Sequence, residues 1–146
     1  MPKRIHRTLL IAASTLIASV ALADDDPAHE RHELMEGVRD AAKPLGAMLQ
    51  GKAEFNQETM MTSLQTFAGA GDKLGGLFPE GSQGGEAAPA IWEDRAGFEE
   101  KIAAWQEATA AAIAANPATL DEMKPAVGAV LQSCKGCHDS YRIEDE

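Results

Sequence analysis

Apolar side chains recur every three or four positions through most of this chain, and that recurrence predicts helices rather than strands. Asp26 followed by Pro27 suits an N-cap and first turn, and Leu34, Met35, Val38, Ala41, Ala42, Leu45, Met48 and Leu49 then form one stripe ending near Gly51. Pro44 lies inside that stripe and removes a backbone donor, which predicts a kink or an earlier break. Asn56 is placed to cap a second helix, with Phe55 just outside it set to pack on Met60. Its stripe runs through Met60, Met61, Leu64, Phe67, Gly71, Leu74, Leu77 and Phe78. Glycines at 69, 71, 75 and 76 weaken this helix by roughly 1 kcal/mol each, so the close approach of a flat body is the expected compensation.

Residues Pro79 to Pro89, with Gly81, Gly84 and Gly85, read as the one long loop. A third helix begins between Pro89 and Arg95, carries Ile91, Trp92, Phe98, Ile102, Trp105, Ala108, Ala112 and Ile113, and stops at Asn116-Pro117. Thr119 and Glu122 have capping-box spacing for a fourth, although Pro125 puts the start of its regular part at Lys124. Val127, Val130, Leu131, Cys134, Cys137 and Tyr141 make its apolar face. Four amphipathic helices with short connections predict an all-α, antiparallel up-and-down four-helix bundle.

The first residues belong to a different pattern. Lys3, Arg4 and Arg7 precede an apolar run from Leu9 to Leu22, and Ala21-Leu22-Ala23 supplies small residues for cleavage. This is read as a secretory signal peptide over 1–23, with the bundle over 24–146; the run is too short to span a bilayer comfortably. Export to the periplasm follows as an expectation. Cleavage removes three positive charges and no acid, taking the net charge from −10 to −13. A surface so acidic repels nucleic acid and anionic membrane and steers toward basic protein patches, unless it serves solubility alone.

In 146 residues with only 5% aromatics and two cysteines, neither a disulfide scaffold nor a four-thiolate zinc site can be built. The chemistry gathers instead at Cys134-Lys135-Gly136-Cys137-His138. C-x-x-C-H is the attachment sequence of c-type haem. Two thiols two residues apart can each form a thioether with one vinyl group of the same macrocycle, while the adjacent imidazole reaches the iron. A Cys134–Cys137 disulfide within a helix would constrain very little chain. A thioredoxin-like pair expects a βαβ context, and zinc would need a further ligand at a spacing the sequence does not offer. No Ser/His/Asp arrangement or phosphate-cradling glycine motif accompanies the site, so no substrate-turning machinery is expected. His29 and His32 read as ordinary exposed residues.

Taken together, these residues resemble the class II c-type cytochromes, the cytochrome c' family. The pieces that carry the resemblance are Cys134-Lys-Gly-Cys-His-Asp-Ser-Tyr-Arg142, Pro89-Ala-Ile-Trp92, Phe78, Gly51-Lys52, and Arg31 with Met35. The resemblance implies one covalent haem held by Cys134 and Cys137, with His138 as proximal iron ligand. It places Arg142 near the proximal face, Arg31 on a haem propionate, and Met35 on the distal side of the iron.

The resembled family divides at that last position. Members without a distal ligand are five-coordinate, high-spin and bind small gases, whereas low-spin relatives use a methionine as sixth ligand and carry electrons. A thioether on iron raises the reduction potential and blocks exogenous ligands, so one bond decides the function. Leu34-Met35 resembles the low-spin subgroup, and the expectation is a periplasmic electron carrier with iron held by His138 and Met35. The alternative is a gas-binding protein in which Met35 only fills space; methionine at helical spacing serves as core filler just as well. Met48, Met60 and Met61 read as core. Expected partners are redox proteins of the periplasm, with no nucleic acid and no membrane insertion, and the resemblance allows a homodimer through the first two helices.

Overall fold

A computed structural model describes residues 26–143. The segment read as a signal peptide, and its cleavage point, lie outside them. Helix α1 spans Pro27–Leu49, α2 Gln57–Leu74, α3 Ala90–Glu93, α4 Arg95–Ala115 and α5 Leu120–Tyr141, with one 3-10 turn at Gly75–Leu77. The four long helices form the expected antiparallel bundle. Helices α1 and α2, α2 and α4, and α4 and α5 pack along their lengths, whereas α1 and α5 scarcely meet. That unfilled seam positions everything described below.

The starts are chemically defined. Asp26 accepts from the Ala28 amide at 2.9 Å, Asn56 from Thr59 at 2.8 Å and Asp94 from Gly97 at 3.1 Å, each satisfying an amide that the first turn leaves without a partner. Thr119 does the same for Glu122 at 3.3 Å, while the Glu122 carboxylate accepts from the Ala118 amide at 2.8 Å, one residue outside the usual box. Two boundaries differ from expectation. Helix α1 runs unbroken through Pro44, and α5 begins at Leu120 rather than Lys124. In each case proline removes a single donor near exposed turns, where water can solvate the freed carbonyl, and packing on the bundle holds the helix. The third element divides at Asp94, so a single turn, α3, precedes α4.

Leu45, Met48, Met60, Leu64, Phe67, Ile91, Met123, Val127 and Val130 are fully buried and form the centre of the core. The Met48 thioether also accepts from the Asn56 amide at 3.2 Å, tying the α1–α2 turn to that core. Of the α2 glycines, Gly71 admits a flat body: a methyl there would sit 3.6 Å from the Trp105 ring and 3.0 Å from Gln106 Cγ. The body is an indole of α4, locked by Gln106 Nε2 donating to the Gly71 carbonyl at 3.0 Å.

A clamped strap runs from the end of α2 to α3. Arg95 donates to the carbonyls of Phe78 at 2.7 Å and Gly75 at 3.2 Å. From the opposite side Arg31, 6% exposed, donates to the carbonyls of Leu77 at 2.8 Å, Ser82 at 2.8 Å and Gly84 at 3.1 Å, and to the Ser82 hydroxyl at 3.3 Å. Its guanidinium also lies over the Phe78 ring, 4.8 Å from the centroid. The strap then reaches the end of α5, where Ala87 and Arg142 form an antiparallel bridge. Ile143 donates to the Glu86 carbonyl at 2.8 Å and Ala88 to the Tyr141 carbonyl at 3.0 Å.

Candidate functional site: a cysteine and histidine face on an open helix seam

Cys134, Cys137 and His138 stand at i, i+3 and i+4 on α5, a spacing that puts all three on one face of the helix. Their face turns into the seam that α1 and α5 leave open. Two cavities occupy it, of about 340 and 480 Å³. Both have Cys137, His138 and Arg142 on one wall and His32 and Met35 on the other. The smaller continues under the strap, against Gly84, Gly85, Phe78 and Tyr141. The larger runs along apolar flanks from Val38, Ala42, Phe67, Ile102, Trp105 and Leu131, and includes Cys134. Each falls within the roughly 300–1,000 Å³ typical of pockets that bury a small molecule or cofactor.

The two cysteines are unbonded and half-buried, so the disulfide reading finds no support. Burial pushes both thiols above their ordinary value; for Cys134 the neighbouring Cys137 adds to the effect, and for Cys137 Lys101 opposes it. Desolvation thus disfavours the thiolate form at both positions, which weighs against a thiolate metal site. Burial likewise pushes His138 down, with Arg142 adding to the effect and Glu86 and Asp139 opposing it. A neutral imidazole is the form that ligates iron.

The donor set therefore fits a porphyrin attached through two thioethers. Two thiols and an imidazole share one helix face, beside an elongated apolar space where a fourth helix–helix contact would otherwise be. The buried Trp105, whose indole N–H has no partner, lines the same space.

Other predicted site residues are placed as follows. Met35 lies opposite His138, partly buried and packed on the core cluster. Arg142 caps the end of α5, its amide donating to the His138 carbonyl at 3.1 Å, and its Nε lies 3.4 Å from Glu86 Oε2. Arg31 reaches the wall of the smaller cavity, but what its guanidinium holds is the strap. The parts played by four residues were missed in the sequence. His32 lines both cavities, one turn before Met35; only its spacing from Met35 hinted at this. Glu86 and the Asp94–Tyr141 pair, with the phenol donating to Asp94 Oδ2 at 2.9 Å, depend on contacts between distant segments and left no local signal.

The family model described as "Cytochrome C'" matches residues 26–142. A cytochrome c' of Rhodopseudomonas palustris is 39% identical over 144 residues, covering 94% of this chain and 97% of that protein. A solved cytochrome c' from Rhodopseudomonas palustris superposes with a TM-score of 0.80 at 36% identity, over 84% of this chain and 100% of that one. A nitric oxide complex of a cytochrome c prime mutant from Alcaligenes xylosoxidans superposes with a TM-score of 0.74 at 28% identity, over 82% and 96%. These matches overturn the expectation of a low-spin carrier with both His138 and Met35 on iron. The relatives named above are cytochromes c', and one is solved as a nitric oxide complex. An iron already holding a thioether has no vacant position for such a ligand. Met35 lines the cavity wall and packs on the core cluster.

Proposed function

The chain belongs to the cytochrome c' family and carries a covalently attached c-type haem, and from that premise we propose that it is an exported five-coordinate, high-spin haem protein that binds small gases such as nitric oxide or carbon monoxide. The observation that carries the reading is the match to cytochromes c', a nitric oxide complex among them, combined with a Met35 that packs as core filler opposite His138. When bound, the haem supplies an iron centre that accepts a diatomic ligand.

The residues divide the remaining work. Cys134 and Cys137 would anchor the macrocycle, and His138, on the same face of α5, would provide the proximal nitrogen. Met35, on the cavity wall opposite His138, would crowd the space left for a diatomic gas with an unbranched, flexible side chain. The apolar flanks of Val38, Phe67, Ile102 and Leu131 exclude water, which favours uncharged ligands over anions. Arg31 closes the strap over one end. No residue pair among these is set to move a proton onto a substrate, and the proposed role is binding rather than turnover.

The acidic balance and the reading of residues 1–23 support a periplasmic location with the leader removed, and among the described residues no helix is long and apolar enough to cross a membrane. Pairing of two copies through α1 and α2 is part of the same proposal. Mixing the ferrous holoprotein with carbon monoxide in a stopped-flow spectrometer tests the function: saturable uptake with a shifted Soret band is expected, and an unchanged spectrum at saturating gas would refute it.

A further inference from the structure

We infer that Glu86 is a positioning residue for the proximal side, its carboxylate holding and neutralising Arg142 beside His138 and so setting how much electron density the imidazole can give a bound iron. The inference rests on His138 being the iron ligand in the proposed function, though not on the spin state.

Glu86 and Arg142 stand at the meeting of the strap and the end of α5. Arg142 Nε and Glu86 Oε2 are 3.4 Å apart, and both residues line both cavities together with His138. The pair is about half-exposed, with side-chain accessibilities of 44% and 51%, so it adds little to stability. The fastening is done by backbone: the Ala87–Arg142 bridge, Ile143 donating to the Glu86 carbonyl, and Ala88 donating to the Tyr141 carbonyl. That division matters, because the carboxylate can be altered while the strap stays in place.

Both side chains line the cavities that His138 lines, and a guanidinium disfavours positive charge on a neighbouring imidazole whereas a carboxylate favours it. Charges around a ligating imidazole tune its basicity and, through it, the metal. With Glu86 present Arg142 is compensated; without it, a full positive charge remains one helical turn from the ligand. An uncompensated cation stabilises the reduced, less positive iron and draws density away from the imidazole.

The test compares holoproteins. Glu86→Gln keeps size and hydrogen-bonding capacity and removes only charge. It is expected to raise the reduction potential and lower the iron–imidazole stretching frequency in the ferrous resonance Raman spectrum, with melting temperature and far-ultraviolet circular dichroism unchanged. Glu80→Gln removes the same charge from an exposed position of the same strap and should move neither readout. Adding Arg142→Gln to Glu86→Gln should return both readouts toward the wild type, since neither charge then remains. Identical values for wild type and Glu86→Gln would overturn the inference, as would an equal shift in Glu80→Gln or a double variant no closer to wild type than Glu86→Gln. A low-spin wild-type spectrum would instead sink the proposed gas binding, and the reduction potentials of the same variants would then carry this comparison.

Discussion

Replacing Arg31 with methionine probes the strap most severely. Methionine keeps an unbranched stem against Phe78 but removes four hydrogen bonds, three of them to main-chain carbonyls at Leu77, Ser82 and Gly84. A hydrogen bond from a charged donor contributes about 1.5–3 kcal/mol taken singly, but the four share one side chain and cannot be summed. Water can also reach the strap carbonyls once the guanidinium has gone. Against the loss stands relief of the desolvation that pushes the Arg31 pKa down. The net expectation is a loss of about 2–4 kcal/mol, within the range found when buried polar networks are broken. For a domain of this length that lowers the melting temperature by roughly 4 °C per kcal/mol, so a fall of about 8–16 °C should appear in thermal denaturation followed by circular dichroism. Limited proteolysis should then cut within 79–89 at a protease concentration that spares the wild type. Arg31→Lys should recover only part of the loss, because an ammonium cannot span carbonyls on both sides as a planar fork does. A melting temperature within 2 °C of wild type with an uncut strap would refute the reasoning and return Arg31 to a role on the haem alone.

Three further outcomes follow from the same structure. Met35→Ala should leave the ferric spectrum high-spin and speed carbon monoxide association in the ferrous state roughly tenfold, equivalent to about 1.4 kcal/mol of relieved crowding; an unchanged rate in stopped-flow mixing would remove Met35 from the gas path. Gly97→Ala places a methyl 2.6 Å from the Tyr141 hydroxyl and in collision with the Asp94 carboxylate. Displacing that N-cap should cost about 1–2 kcal/mol, more than the helix propensity gained, and a melting temperature at or above wild type would contradict it. Converting Cys134 or Cys137 singly to Ala should shift the pyridine haemochrome band toward a one-thioether product, and the double variant should lose its haem to acid-acetone extraction; haem retained by the double variant would exclude thioether attachment.

The helices were legible because periodicity and capping are local. Asp26, Asn56 and Thr119 each act within three residues of themselves, and each caps where expected. Pro125 misled because its missing donor seemed decisive, whereas α5 gains far more from packing Met123, Val127 and Val130 than it loses at one exposed turn. The glycine at 71 announced a flat neighbour without saying which, and Trp105 answered. Cys134, Cys137 and His138 were legible because the attachment chemistry fixes their spacing. Met35 was not, since a thioether facing iron and one packing in a core occupy the same position of the helical stripe; the likeness to cytochromes c' is what speaks against the first. Arg31 on the strap and Glu86 on Arg142 join segments far apart in the chain, where no local pattern reports them.

The spin state of the ferric holoprotein tests the central claim most directly. Electron paramagnetic resonance and optical spectra at neutral pH should show high-spin iron with no methionine-to-iron charge-transfer band, unchanged by Met35→Ala. A low-spin spectrum carrying that band, abolished when Met35 is replaced, would contradict the account and reinstate the electron carrier.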